Sequence, residues 1–303
     1  MKNLFITGGL GQDGTIIRHI LKKNKRIKVY SIVENKKKFK KKNNLIKLNL
    51  LNKNQIRNTF SKIRPDIIIH LGSKNPSFHQ KNYKKYFQHN MITTKNIFFT
   101  AFEKNNNTKF IFCNSSHIFK KRSGMVNEKS KFFYNKKRLN SDYSKFRLKC
   151  HQLMINYKKK KNINYTNAIL FNHDSIFRNK KFLIPRISHA IKKKKYNFLK
   201  EIINENISAD FSHAKDICQG LIKISLSKKN IDNIILSSGK VTKINDIIKF
   251  IIKKEKILLP FKINSKKKIK GLMGNNSLAK KKFNWYPKKN IFQASLEIYK
   301  NDK

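Results

Sequence analysis

Short apolar runs alternate with amphipathic stretches through the first half of the chain. Six runs predict buried strands: Asn3–Thr7, Ile27–Val33, Leu45–Leu48, Asp66–Leu71, Thr108–Asn114 and Tyr165–Phe171. The stretches between them predict helices at Asp13–Lys23, Lys53–Lys62 and Asn90–Lys104. Such alternation, with strands that are apolar throughout, is typical of a parallel sheet covered by helices on both faces. The pattern therefore predicts an α/β fold of the Rossmann type, with a doubly wound parallel sheet.

The pattern is less regular beyond about residue 172. Pro185 and Pro260 interrupt it, and further helices are predicted near His213–Leu226 and Ile244–Lys253. We therefore expect a sheet domain over residues 1–171 and a smaller C-terminal part over residues 172–303, partly interleaved with the first.

Composition adds an unusual charge balance. The 303 residues include 71 Lys and Arg against 16 Asp and Glu, a formal net charge of +55. The excess is mostly Lys, runs along the whole chain and accompanies abundant Asn and Ile, as an A/T-rich coding sequence would produce. A nucleic-acid binder driven by this charge is a hypothesis that leaves the motifs below unexplained. We expect neither a nucleic-acid nor a membrane partner, since no apolar run reaches the roughly 18 to 20 residues that span a bilayer.

The cysteines and the N-terminus indicate the compartment. Cys113, Cys150 and Cys218 lack the spacing of a disulfide framework or a zinc site. The first residues show no signal peptide, because glycines follow a short apolar run almost at once. We expect a cytoplasmic protein without a bound metal.

Four of the ten glycines lie in one loop, at Gly8, Gly9, Gly11 and Gly14. The loop follows a predicted strand and opens a predicted helix, which is the context of a dinucleotide-binding fingerprint. Glycine allows a tight turn and a close approach to a diphosphate, which then faces the helix N-terminus. The loop residues expected to contact the cofactor are Gly8, Gly11, Gln12, Asp13 and Gly14.

The choice between NAD and NADP stays open. Glu34, at the end of the second strand, is placed to hold the adenosine ribose hydroxyls and so favours NAD. Lys36 and Lys37 follow closely and could instead meet a 2′-phosphate. Leu71, Gly72 and Ser73 follow the fourth strand, at the sheet edge where open α/β folds bind ligands, and are expected at the cofactor.

Several segments resemble known enzymes. The glycine spacing is similar to that of the extended short-chain dehydrogenases/reductases. Further segments at 115–119, 141–147, 170–175, 210–216 and 272–285 resemble, in order and spacing, the GDP-mannose 4,6-dehydratase family. The most specific are Leu-Phe-Asn-His-Asp-Ser at 170–175 and His-Ala-Lys-Asp at 213–216, and the resemblance covers nearly the whole chain.

The resemblance implies a catalytic set. Ser115 matches a residue that hydrogen-bonds the C4 oxygen of the sugar, and Tyr143 matches the tyrosine that removes the C4 hydroxyl proton. A phenol is a poor base near neutral pH, but a cation one helical turn away favours the phenolate. Arg147 stands where the family has that lysine, and His117 stands where the dehydratases carry the glutamate that moves the C5 proton. Arginine keeps the charge without a proton-relay role, and histidine is a sensible acid/base.

The same resemblance places binding residues. Asn49 and Leu50 match an adenine contact, and Tyr143 and Arg147 are also expected at the cofactor. Asn172 and Arg186 match contacts to the nucleotide sugar and its diphosphate, and Asn90 matches a residue that supports the active site. Ser265 and Lys266 replace an arginine of the family. The resemblance further implies a homo-oligomer and a GDP-sugar substrate bound mainly by residues 172–303.

Four hypotheses follow. The first is a GDP-mannose 4,6-dehydratase that oxidises C4, eliminates water across C5–C6 and returns the hydride to C6, with NAD or NADP regenerated. The second is a reductase or epimerase of the same fold, which needs no C5 base at position 117. The third is a non-catalytic cofactor-binding homologue, in which Arg147 and His117 mark decay. The fourth is the nucleic-acid binder considered above.

Overall fold

The computed structural model of the chain describes residues 1–33, 44–74, 83–103, 107–133, 141–263 and 270–302. The elements, in chain order, are β1 (Lys2–Thr7), α1 (Gln12–Leu21), β2 (Ile27–Val33), β3 (Leu45–Lys47), α2 (Lys53–Ile63), β4 (Ile67–His70), α3 (Tyr83–Phe102), β5 (Lys109–Ser115), β6 (Gly124–Val126), α4 (Ser141–Lys161), β7 (Tyr165–Leu170), β8 (Asn172–Asp174), α5 (Leu183–Lys192), α6 (Tyr196–Glu205), β9 (Ser208–His213), α7 (Ala214–Leu226), β10 (Asn233–Leu236), β11 (Val241–Lys243), α8 (Ile244–Lys254), β12 (Leu272–Gly274), α9 (Ser277–Phe283) and α10 (Ile291–Asn301). A short 3₁₀ turn, Ser116–Ile118, follows β5.

The main sheet has seven parallel strands in the order β10-β7-β5-β4-β1-β2-β3. The order 3-2-1-4-5 from β3 to β5 is that of a doubly wound Rossmann sheet, so the predicted fold class is confirmed. β10 comes from beyond residue 171 and completes the edge next to β7.

Both faces of the sheet are buried, which explains why its strands are apolar throughout. Along β1, Leu4 and Ile6 pack with α1 and α7 on one face, while Phe5 packs with α2, α3 and α4 on the other. Alternate residues of a strand point to opposite faces, so one apolar run supplies both cores.

The C-terminal part has its own core between α5, α6, α8 and α10. Two small sheets lie between this part and the main sheet: β8 pairs with β9 and β9 with β11, while β6 pairs with β12. The buried carboxylate of Asp210 in β9 accepts hydrogen bonds from the backbone amides of Ser238, Gly239 and Gly274. One acidic side chain thereby joins segments that are far apart in sequence.

Most predicted boundaries agree with the observed ones within a few residues, with one exception. The helix predicted at Asn90–Lys104 begins already at Tyr83, so Asn90 lies inside the helix. Across the described part of the chain, no helix is long and apolar enough to cross a membrane.

Candidate active site

A cavity of about 1020 Å³ opens at the carboxyl ends of β1, β4, β5 and β7. This is the sheet edge where doubly wound folds bind their ligands. The predicted site residues that line it are Gly8, Gly11, Gln12, Asp13, Gly14, Leu71, Ser73, Ser115, His117, Tyr143, Arg147 and Asn172. The structure thus brings together residues separated by more than half of the chain.

The glycine loop forms one wall of this cavity. Gly8 has φ +71°, a conformation that disfavours side chains, and a Cβ there would lie 3.2 Å from the backbone of Gly72. The amide of Gly11 donates to the carbonyl of Gly8 at 2.9 Å, which closes the turn. α1 begins directly afterwards, so its unpaired N-terminal amides and partial positive charge face the cavity and suit an anion.

A smaller cavity of about 270 Å³ adjoins the loop on the other side. Leu50, Gly72 and Ser73 line it as predicted, together with the end of β2. Its volume and largely apolar lining suit a nucleoside. Asn49 is not among the described residues that line it, and its side chain accepts a hydrogen bond from the amide of Leu51. Glu34, with Lys36 and Lys37, falls outside the described residues.

Asn90 holds the loop that follows β4. It is buried, its Oδ1 accepts the amide of Lys74 at 2.8 Å, and its Nδ2 donates to the carbonyl of Lys74 at 2.9 Å. Lys74 and His89 line the smaller cavity with Nζ and Nδ1 3.4 Å apart. Burial, and then the cation of Lys74, lower the pKa of His89. The sequence analysis did not identify Lys74, because nothing in its local sequence distinguishes it from other lysines.

Ser115, His117 and Tyr143 meet at the large cavity. Ser115 ends β5, its amide donates to the Asn114 side chain, and its hydroxyl accepts the amide of His117 at 3.3 Å. His117 is exposed on the 3₁₀ turn, and its ring lies edge to face with the Tyr143 ring at 6.4 Å between centroids. The turn therefore places the imidazole beside the phenol that α4 supplies.

Arg147 is buried and tightly held. Its Nη2 donates to Ser73 Oγ at 2.7 Å and its Nη1 donates to the Cys113 carbonyl at 2.5 Å. The guanidinium carbon lies 5.0 Å from the Tyr143 ring centroid, within cation–π distance. Within the described residues the buried Nε of Arg147 has no hydrogen-bond partner. The Arg147 guanidinium is therefore a fixed positive charge next to the Tyr143 ring, and its Nε is a buried donor without a partner among the described residues.

The two predicted substrate contacts have different surroundings. Asn172, at the start of β8, lines the large cavity. Arg186 lies on α5 with its guanidinium 4.7 Å from the Phe198 ring centroid, and it is not among the described residues that line this cavity.

The lining residues that the sequence analysis did not assign to the site include three that can carry charge, His173, Asp174 and Arg178. Arg178 forms an ion pair with Asp174, with 3.0 Å between Nε and Oδ1, and stacks on Phe182 at 3.5 Å. The i, i+4 spacing of Asp174 and Arg178 is the one signal in the sequence that could have indicated this pair.

Comparison with known proteins was made at the level of family, sequence and fold. A family model described as GDP-mannose 4,6 dehydratase matches residues 5–296. A GDP-mannose 4,6 dehydratase of Cricetulus griseus is 22% identical over 229 residues, which are 65% of this chain and 60% of that protein. The chain therefore matches less than two thirds of that relative's length.

Solved structures with the same fold include epimerases and dehydratases. A UDP-glucuronic acid 4-epimerase from Bacillus cereus in complex with NAD superimposes with a TM-score of 0.78, at 17% identity over 99% of this chain and 98% of that one. A dTDP-glucose 4,6-dehydratase from Bacillus anthracis in complex with NAD gives a TM-score of 0.80, at 14% identity over 99% and 96% of the two chains. At 14% to 17% sequence identity, the structural similarity establishes the fold alone.

Proposed function

Because the chain belongs to the GDP-mannose 4,6-dehydratase family, we propose that it is a nucleotide-sugar 4,6-dehydratase, a lyase that converts GDP-mannose to GDP-4-keto-6-deoxymannose with NAD or NADP. The observation that carries the proposal is the meeting of Ser115, His117 and Tyr143 at the cavity edge beside the glycine loop. These are the hydroxyl, the base for C5 and the base for O4 that the reaction requires.

The cofactor is assigned from the fit of the two cavities. The glycine loop and the N-terminus of α1 suit the diphosphate, and the smaller cavity suits the adenosine. Arg147 lines the large cavity, and its guanidinium is a candidate donor for a ribose hydroxyl. When bound, the nicotinamide would take a hydride from C4 of the sugar and return it to C6.

The protein side chains handle the protons. Tyr143 takes the proton of the C4 hydroxyl, with the Arg147 guanidinium carbon 5.0 Å from its ring centroid. Ser115 donates a hydrogen bond to the C4 oxygen as the ketone forms. The ketone acidifies the C5 proton, which His117 removes while the C6 hydroxyl leaves as water. Two protons are removed in total, one from O4 and one from C5. One of them leaves in the water molecule and the other returns to C5, so the protons balance.

The contact between the two rings supports this role for His117. The hydroxyl on C4 and the hydrogen on C5 belong to neighbouring atoms of one sugar ring, so their two bases must also be neighbours. Tyr143 and His117 satisfy this requirement, since their rings are in edge-to-face contact. Each base needs to lie within hydrogen-bond reach of the proton it moves.

The rest of the substrate is assigned to the far side of the cavity. Asn172 is proposed as a contact to the sugar. Arg178 takes the diphosphate role that the sequence analysis gave to Arg186, because Arg178 lines the cavity and Arg186 does not. The rings of Phe177, Phe182 and Phe211 line the same side and provide apolar surface for the nucleobase.

A reductase or epimerase is the second candidate. The structural likeness to a UDP-glucuronic acid 4-epimerase favours it, since oxidation and reduction at C4 alone need Ser115 and Tyr143 but no base for C5. The two candidates therefore differ in what His117 does. The homo-oligomeric state and the cytoplasmic location stay predictions from the sequence.

The deciding experiment is incubation of the purified protein with GDP-mannose and a catalytic amount of NAD or NADP. We expect mass spectrometry to show a product that has lost one water, with no net consumption of cofactor. His117→Ala is then expected to lower the dehydration rate by about 10²-fold or more, the usual contribution of general acid–base catalysis. His189→Ala, which changes a histidine on α5, is the matched control and should keep the wild-type rate.

Two other results would change the proposed function or the proposed role of His117. If no dehydration occurs but the 4-keto-6-deoxy sugar oxidises added NADPH, the protein is a reductase. Dehydration at the wild-type rate in His117→Ala would keep the dehydratase and exclude His117 as the base.

A further inference from the structure

A buried polar network links the glycine loop to β8. His173 Nε2 lies 3.2 Å from Oδ1 and 3.1 Å from Oδ2 of Asp13. Gln12 Nε2 donates to the carbonyl of His173 at 3.2 Å and to Asp13 Oδ1 at 3.1 Å, while Ser175 Oγ donates to Gln12 Oε1 at 3.0 Å. The first turn of α1 is therefore tied to a segment 160 residues away.

The geometry fixes the protonation of His173. Its Nδ1 lies 2.6 Å from the carbonyl oxygen of Phe171, and its Nε2 faces the carboxylate of Asp13. Both partners accept hydrogen bonds and neither donates, so both ring nitrogens must carry protons. The Asp13 carboxylate, opposed by burial, raises the pKa of His173 above its ordinary value. His173 and Asp13 therefore form a charged pair near neutral pH.

The pair stands at the anion-binding end of the site. Asp13 lies in the first turn of α1, between Gly11 and Gly14, and both members of the pair line the large cavity. An unpaired carboxylate here would repel the diphosphate that the loop is built to hold, and the imidazolium cancels that charge.

Few other groups that face the pair can change charge between about pH 6.5 and about pH 9. Burial raises the pKa of Asp174, and the cation of Arg178, whose Nε lies 3.0 Å from Asp174 Oδ1, opposes that rise. Burial raises the pKa of the Cys113 and Cys218 thiols, so both stay neutral. His173 is thus the basic group of this cluster whose pKa is raised from an ordinary value near neutral pH.

We propose that His173 is a positioning residue for the dinucleotide: as an imidazolium it neutralises Asp13 and holds the start of α1, and its deprotonation weakens cofactor binding. The sugar takes no part in this effect, so the inference rests on cofactor binding alone. A failure of the dehydratase assignment would leave it untouched.

The first test measures NADH affinity by fluorescence from about pH 6.5, the ordinary pKa of histidine, to about pH 9. NADH suits the experiment because its diphosphate keeps the same charge across this range. We expect the affinity to fall about tenfold as His173 loses its proton, which corresponds to a pKa change of about one unit. By linkage, NADH must raise the midpoint of the His173 titration, followed by NMR of the ring, by the same amount.

Variants separate this charge effect from general pH sensitivity. His173→Gln keeps hydrogen-bonding capacity without the charge, and should bind weakly and equally at all pH values tested. Asp13→Asn removes the repulsive carboxylate and should bind without the alkaline loss. His189→Gln is the matched control, because it removes the histidine of another His–Asp pair, with 3.1 Å between His189 Nδ1 and Asp302 Oδ2, and should keep the wild-type profile.

Either of two results would overturn the proposal: a wild-type affinity that is constant across the range, or an alkaline loss that persists unchanged in Asp13→Asn. The NMR titration needs no variant, so it decides even if a substitution prevents folding. A His173 midpoint that NADH leaves unmoved would also refute the linkage.

Discussion

Replacing Gly9 by alanine should disturb the glycine loop through one neighbour. A Cβ on Gly9 would lie 2.4 Å from Ser31 Cβ and 3.0 Å from Ser31 Oγ. Ser31 is fully buried in β2, paired with β1 on one side and β3 on the other. The Gly9 amide also donates to the carbonyl of Ile32 at 3.1 Å. Neither partner can move away without breaking hydrogen bonds of the sheet.

The size of the effect follows from the overlap. Two carbon atoms pack best at about 3.5 to 4.0 Å, so the loop and β2 must separate by more than about 1 Å. Overpacking of this kind costs about 1 to 3 kcal/mol, and we expect about 3 kcal/mol because both sides are held. Removing the Ser31 side chain leaves Cα of residue 31 as the nearest atom, at 3.2 Å. Most of the overlap then disappears.

The assay is a double-mutant cycle in urea. Ser31→Gly alone should lower the free energy of unfolding by about 1 kcal/mol, the usual cost of glycine in a strand. If the clash is the cause, Gly9→Ala with Ser31→Gly should be more stable than the sum of the single changes by about 2 kcal/mol. NADH affinity should fall in Gly9→Ala and recover in the double variant. Additive changes in unfolding free energy would refute the steric account.

Three further changes have expected outcomes. Burial lowers the pKa of His70 to about 3, so below the ordinary value near 6.5 the unfolded chain takes up a proton that the folded chain does not. At about pH 5.5 this should cost about 1.3 kcal/mol of unfolding free energy relative to neutral pH, and urea titrations should find the acid loss smaller by that amount in His70→Gln. Asn90→Ala should free Lys74 and lower NADH affinity by about tenfold, and the loss of two partly buried hydrogen bonds should lower the free energy of unfolding by about 1 to 3 kcal/mol. Added salt should slow cofactor association in stopped-flow mixing and leave dissociation nearly unchanged, because surface charge steers an anionic ligand.

Six of the seven strands of the central sheet were predictable from their apolar runs, and β10 was not predicted. A run such as Phe110–Cys113 has no polar face, and the sequence shows this directly. Six strands, β6 and β8 to β12, were not predicted. Four of them, β6, β8, β11 and β12, have three residues each, too few to show a period. They exist through tertiary contacts such as those of Asp210, which no local pattern reveals.

Candidate site residues were predictable where a backbone requirement or a family motif marks the position. The glycine loop, Ser115 and Tyr143 belong to this group, and all line the large cavity. The Asp13–His173 pair was not predictable, because its two members are 160 residues apart and meet only when β7 lies beside β5 in the folded sheet. The exclusion of Arg186 from the cavity depends in the same way on how α5 packs, with the arginine over Phe198.

The distribution of charge supports an enzyme site over a polyanion surface. Among the described residues that line the large cavity, the permanent cations are Arg147 and Arg178, although the chain has 71 Lys and Arg. Both arginines have defined partners, Ser73 and Cys113 for one and Asp174 for the other. A surface that bound polyanions through its net charge would gather many solvated lysines at its binding face. The large cavity instead holds, among its described lining residues, two permanent cations with defined partners, which favours a site for a small anionic ligand over a polyanion surface.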